Sequence, residues 1–203
     1  MGEDAKQTVV AVVLAAGQSS RMGRPKQLEA VHGVPMVVHA ATVALQSDVA
    51  HVAVVTGAYA AAVAAALKGL LTANPTRLSL LHNAEWATGQ ASSVRCAVER
   101  CAATANALLF LPVDQPFLPT ALLQQLIAAW QQGAPLATPA IDGKIRGAPA
   151  IFDQALFPEL RELTGDVGAR PLLQRYHDQL VPVAAQAAWL RDIDTPEDLS
   201  RLS

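Results

Sequence analysis

Short, continuous apolar runs alternate along the chain with longer, alanine-rich stretches whose apolar positions recur every three or four residues. A continuous apolar run suits a strand covered on both faces. The three-to-four spacing suits a helix with one buried side. Strands are therefore predicted over 8–14, 49–55, 76–81, 106–111 and 135–140, and helices over 35–46, 58–71, 90–103 and 120–132. Beyond residue 140 the rhythm loosens. Asp142-Gly143 and Gly147-Ala148-Pro149 bracket a short extended piece, and helices over 153–163 and 169–178 flank a Gly165-Asp166 turn. Strand pieces are expected over 180–183 and 189–193. A closing helix over 195–202 has Thr195 as N-cap, Pro196 at the first helical position and Asp198 three residues after the cap. Strand–helix alternation with crossovers of this length predicts an α/β fold of three layers, α/β/α, around a mainly parallel, doubly wound sheet.

Composition narrows the picture. The chain has 203 residues, 52% of them hydrophobic and 16% charged, with a formal net charge of −2. This length and apolar content fit one domain, 1–203, with its own core, and exclude wholesale disorder. The balanced charge argues against a broad grip on nucleic acid or on an anionic membrane. The apolar run 9–16 is too short for a membrane span and lacks a signal peptide's basic flank. Cys96 and Cys101, five positions apart on a predicted helix, point to different faces and read as buried free thiols. The expected setting is a reducing one, the cytoplasm. The histidines, His32, His39, His51, His82 and His177, show no ligand spacing and read as structural or surface groups. Trp86, Trp130 and Trp189 are scattered, as core or rim residues are.

In an open parallel sheet ligands bind beyond the carboxyl ends of the strands. The first strand leads into Leu14-Ala15-Ala16-Gly17-Gln18-Ser19-Ser20-Arg21-Met22-Gly23-Arg24-Pro25-Lys26. Small residues there let successive backbone N–H groups approach an anion, and Arg21 and Lys26 add full charges. The loop lacks the spacing of a Walker A sequence and of the dinucleotide GxGxxG. Its alternative is a basic surface loop. Asp114, between Pro112 and Pro116 after the fourth predicted strand, suits Mg²⁺, which takes one or two carboxylates together with substrate phosphates. Its alternative is an Asx-turn. In Arg191-Asp192-Ile193-Asp194, strand alternation would put both aspartates on one face, although an acid here also suits a helix entry.

Leu14-Ala15-Ala16-Gly17-x-Ser19-x-Arg21-Met22-Gly23-x-Pro25-Lys26 resembles the signature of nucleotidyltransferases with the GT-A-like, Rossmann-like fold. Further segments resemble the MobA-like NTP transferases, and among them the MocA-like molybdenum cofactor cytidylyltransferases. These are residues 89–95, 112–116, Arg146-Gly147-x-Pro149, Gly165-Asp166-x-Gly168-Ala169-Arg170 and 192–198. The resemblance implies a nucleotide-binding half, 1–115, and an acceptor-binding half, 116–203. It implies transfer of CMP from CTP to the terminal phosphate of a molybdopterin-type cofactor, with pyrophosphate released and a molybdoenzyme as a possible recipient of the product. Arg21 and Lys26 would hold the triphosphate and, with Asp114, make up the catalytic set. Asp114, Asp194 and the rival Asp192 would hold Mg²⁺ or Mn²⁺. Leu14, Ala15, Ala16, Gly17, Ser19, Ser20, Gly89, Ser92 and Ser93 would line the nucleotide site, with Ala16 favouring cytidine and helix capping as the other role of the two serines. Arg146, Gly147, Asp166 and Arg170 would bind the acceptor, unless Arg170 merely caps or pairs with Asp166. GTP or another phosphorylated acceptor, such as a sugar or polyol phosphate, and a non-catalytic cofactor-binding chaperone are the competing expectations.

Overall fold

A computed structural model describes residues 7–19 and 22–201. The strands are β1 (Val9–Ala15), β2 (Ala30–Val31), β3 (Val34–Pro35), β4 (His51–Thr56), β5 (Leu78–His82), β6 (Ala107–Pro112), β7 (Leu136–Ile141), β8 (Lys144–Ile145), β9 (Ala150–Asp153) and β10 (Leu180–Ala184). The helices are α1 (Met36–Gln46), α2 (Ala60–Ala73), α3 (Gln90–Cys101), α4 (Thr120–Gln131), α5 (Phe157–Arg161), α6 (Arg170–Arg175) and α7 (Pro196–Ser200). One eight-stranded sheet runs β10-β7-β9-β6-β1-β4-β5, with β8 added to β7, and β2 and β3 form a separate hairpin.

Alternate residues of β1 feed opposite layers. Val9, Ala11 and Val13 pack under α1, α2 and α4, whereas Val10 and Val12 pack under α3, α5 and α6. Ala40, Ala41 and Ala44 are at most 4% exposed, so the alanines bring α1 close to the sheet. The three-layer α/β/α architecture predicted from the alternation is therefore present. Register sets the level of the site. Leu14 of β1 lies opposite Val55 of β4 and Pro112 of β6, so these parallel strands end together. The residues that follow them share one edge of the sheet.

The later part of the chain departs from expectation. The stretch 150–153 forms β9, antiparallel to both β6 and β7, where no strand was predicted. Its apolar run, Ala150-Ile151-Phe152, is too short to stand out, and only its two neighbours complete it. The helix expected over 153–163 consequently starts later, as a 3-10 turn over Gln154–Leu156 followed by α5. Residues 189–193 are not a strand. Ala187–Leu190 is a 3-10 turn, and the Ile193 N–H donates to the Asp114 carbonyl at 2.9 Å instead of joining a ladder. The closing capping box is as predicted, with Thr195 and Asp198 bonded reciprocally.

Candidate functional site

The loop after β1 is held from inside by Gln27, which is 1% exposed. Its Nε2 donates to the Gly17 carbonyl at 3.1 Å, and its Oε1 accepts the Ser19 hydroxyl at 3.0 Å. Ser19 Oγ in turn accepts the Lys26 N–H at 3.1 Å. These bonds fold the loop back on itself and aim Lys26 inward. Ser20 and Arg21, both predicted to bind nucleotide, lie outside the described residues.

Lys26 Nζ donates to Asp114 Oδ2 and, at 2.9 Å, to Asp194 Oδ1. The two aspartates are 88 and 168 positions further along the chain. Burial alone lowers the Lys26 pKa, but Asp114 and Asp194 more than offset it, so the ammonium is held above its ordinary value of 10.5. A small third hydrophobic cluster fixes this meeting point. Met22 from the loop, Val31 from the hairpin, Met36 from α1 and the fully buried Ile193 pack together, with Phe117 and Leu199 against them. The backbone bond from Ile193 to Asp114 joins the two acidic segments. Asp198 Oδ2 accepts the N–H groups of Asp194 at 3.1 Å and Thr195 at 3.0 Å, so the α7 cap also holds Asp194.

Asp192 and Asp194 part company, because no strand carries them. Asp192 Oδ1 accepts from Gln115 Nε2 at 2.9 Å, away from the lysine. Burial, followed by the nearby Asp114 and Asp194 charges, raises the Asp192 pKa against the lowering effects of Gln115 and Lys26. Of the two, Asp194 is the one that joins Asp114 at the Lys26 ammonium.

A cavity of about 730 Å³ opens over this cluster. Its floor is Leu14 to Ser19 with Lys26, Asp114 and Asp194, and its far wall is Trp86 to Gln90 with Ser93. Ser92 was expected here but is turned inward. It is 3% exposed, and its hydroxyl donates to the Gly89 carbonyl at 2.8 Å. Asn83 Nδ2 donates to both Ser92 Oγ at 2.8 Å and Ser93 Oγ at 3.1 Å, so Asn83 sets the wall. Neither serine caps α3. Gly57 allows close contact between loop and wall, since a Cβ there would stand 2.6 Å from both the Ala16 carbonyl oxygen and Trp86 Cβ.

A second cavity of about 610 Å³ adjoins the first and contains all four predicted acceptor residues, Arg146, Gly147, Asp166 and Arg170. Val167, 51% exposed, adds an apolar side. Among the described residues no ion pair joins Arg170 to Asp166. Asp166 instead accepts the Gln90 N–H at 3.0 Å through Oδ1.

Sequence reading missed Gln27, Asn83, Gly57 and Gln115, because their partners are remote. A buried polar residue beside a small-residue loop is the only local signal Gln27 leaves. The other groups behave as expected. His39 Nε2 lies 2.9 Å from the Val31 carbonyl, His51 lies between Thr76 and Ser79, and Trp130 Nε1 donates to Asp153 at 2.7 Å. Both thiols are free, but Cys96 is only partly buried. Among the described residues no group of three or more His, Cys, Asp or Glu side chains could hold a metal, so a cation here would rest on the two carboxylates and the substrate. No described helix is long and apolar enough to cross a membrane.

The MobA-like NTP transferase domain matches residues 11–180. Nicotine blue oxidoreductase of Paenarthrobacter nicotinovorans is 32% identical, covering 100% of both chains. A molybdenum cofactor guanylyltransferase of Rhodobacter capsulatus is 28% identical over 95% of this chain and 94% of its own. Among solved structures, Rv0371C of Mycobacterium tuberculosis H37Rv in complex with manganese superimposes with a TM-score of 0.77 at 26% identity, covering 96% of this chain and 97% of that one.

Proposed function

Since the chain belongs to the MobA-like NTP transferase family, we propose that it moves CMP from CTP onto the terminal phosphate of a molybdopterin-type cofactor and releases pyrophosphate. One observation carries this reading: Lys26, Asp114 and Asp194, from three distant parts of the chain, converge under the small-residue loop at the floor of one cavity.

The nucleotide occupies the larger cavity, its triphosphate along Gly17 to Lys26 with Arg21 completing the cation pair. The base rests against Ala15, Ala16, Gly89 and Ser93. Ala16 lines this cavity, and alanine in place of glycine at this position resembles the cytidine-using branch of the family. The phosphorylated acceptor enters from the second cavity, where Arg146 and Arg170 suit an anion. An acceptor phosphate oxygen attacks the α-phosphorus. The bond from that phosphorus to the bridging oxygen breaks, and the electron pair leaves with pyrophosphate. Nucleotidyl transfer needs alignment and charge neutralisation more than covalent help from the protein. Lys26 supplies both, as an ammonium fixed at the floor.

The residues also fit a divalent cation. Oxygens of Asp114 and Asp194 already converge on one positive centre, and two carboxylates plus phosphates are what Mg²⁺ usually takes. Asp114 and Asp194 would hold Mg²⁺ or Mn²⁺, which would neutralise charge developing on the departing phosphates. Lys26 would then be free to turn toward those phosphates.

The name of the oxidoreductase relative raises a redox reading. The lysine–dicarboxylate floor favours the transferase, since it serves phosphates and a hard cation. The discriminating experiment measures pyrophosphate release with each nucleoside triphosphate, Mg²⁺ and the molybdopterin acceptor. CTP-dependent release is expected. Release only with GTP, or only with a sugar or polyol phosphate, assigns the related transferase. Tight cofactor binding without release assigns a chaperone that delivers the cofactor to a molybdoenzyme.

A further inference from the structure

Four residues line both cavities: Leu14, Gln90, Pro112 and Asp166. Only Gln90 and Asp166 among them carry polar side chains. A group passing from a ligand in one cavity to a ligand in the other meets this shared boundary.

Asp166 is poorly placed to meet a phosphate, since it is a carboxylate already accepting the Gln90 N–H at 3.0 Å. Gln90 is the opposite case. Its side-chain amide is neutral, has two N–H donors, and among the described residues forms no hydrogen bond. An unspent surface amide is ordinary by itself. Here the backbone around the residue is closely packed. Gly165 accepts the Ala91 N–H at 3.1 Å, and a Cβ on Gly89 would stand 2.5 Å from the Gly165 carbonyl oxygen. Gly168, at φ +54°, leaves the space the glutamine occupies, since a Cβ there would come within 2.9 Å of Gln90 Oε1. The Gly165-Asp166-Val167-Gly168 segment thus clasps the first turn of α3 and presents one side-chain amide at the junction.

We propose that Gln90 contacts the phosphate of the acceptor where the two cavities meet, with Asp166 and Gly168 as positioning residues. The class of ligand it reads is a phosphomonoester presented from the second cavity. This assignment rests on the transferase reading for its chemistry and replaces direct acceptor binding by Asp166.

Gln90→Met keeps the length of the side chain and removes its donors. Gly168→Ala keeps the glutamine and displaces it. Both are compared with wild type in pyrophosphate release with CTP, Mg²⁺ and molybdopterin. Loss of one hydrogen bond to a charged group predicts a KM for the acceptor raised about tenfold or more, with the KM for CTP changed less than about twofold. In parallel, the Gln90 side-chain amide resonance, assigned by its absence in Gln90→Met, is followed as molybdopterin is added to wild type, and it is expected to shift. Turnover by wild type with an acceptor KM in Gln90→Met within about twofold of wild type overturns the assignment and leaves the transferase reading intact. A shifted resonance without turnover by wild type, with CTP or with any other nucleoside triphosphate, sinks the transferase reading and supports the phosphate contact. Neither turnover nor shift overturns both.

Discussion

The two halves of the site are built differently. In the first half, the loop after β1 and the Asp114 segment after β6 leave parallel strands that end at one level, so each functional residue inherits its place from the ladder. In the second half, the residues at 146–147, 166–170 and 191–194 follow no such rule. Residues 191–194 are tied to the first half by the Ile193 N–H on the Asp114 carbonyl, by Gln115 on Asp192 and by Lys26 on Asp194, and 165–166 by the Gln90 and Ala91 N–H groups, whereas the Arg146 N–H donates to the Pro139 carbonyl. The second half therefore takes much of its order from the first. Disturbing the first half should cost chemistry, whereas disturbing the seam should cost the second half selectively.

The largest contrast is expected at Lys26. A unit charge about 4 Å from another at an effective dielectric near 20 is worth about 4 kcal/mol, or about 10³ in rate. Lys26→Ala should slow pyrophosphate release by two to three decades (order of magnitude) and leave a folded protein by circular dichroism. Arg21→Ala should behave in the same way. Near-wild-type turnover in both would remove the first half's claim to the chemistry.

Ile193→Ala strikes the seam. The side chain is fully buried in the small cluster, and its truncation should cost about 3 kcal/mol, or roughly 6–12 °C in melting temperature for a domain of this size. Manganese affinity, followed by electron paramagnetic resonance, should fall with it, because Asp194 loses one of its supports. Unchanged metal affinity would show that Asp194 is held without the seam.

Gly89→Ala tests the other stitch. Its φ of +112° and the Gly165 carbonyl oxygen 2.5 Å from a new Cβ predict a loss of about 1–3 kcal/mol. The acceptor KM should rise more than the CTP KM. Equal changes in the two would mean that the clasp serves both cavities alike.

The smallest effect lies away from the seam. Burial, with the neighbouring Cys96, pushes the Cys101 thiol up to about 11. About a thousandth of it is thiolate at pH 8, so alkylation of Cys101 in the folded protein should be slow. Because the folded pKa is raised, the associated stability is complete below about pH 9 and is lost as pH rises through about 11. Rapid labelling of Cys101 at pH 8 would mean that α3 opens locally.

Legibility in the sequence followed the same division. Helices α1, α3 and α4 and strands β1, β4 and β6 announce themselves by long, regular apolar spacing, and the cation-bearing loop is visible because it follows the first strand directly. Strand β9 carries only a three-residue apolar run and is completed by β6 and β7. The segment carrying Asp192 and Asp194 has the alternation of a strand, but Ile193 bonds to a loop carbonyl instead, and the two aspartates diverge.

The chain's local pattern determined the α/β layering, the capped α7 and the presence of a cationic, small-residue loop. These features depend on residues a few positions apart, whose preferences add along one element. Only the tertiary structure decided that Asp194 rather than Asp192 meets Lys26, that Gln27 braces the loop, and that Asp166 is spent on the first turn of α3. Each of these choices is made by a polar group pairing with a partner far along the chain, and such a pairing leaves no periodic trace in sequence.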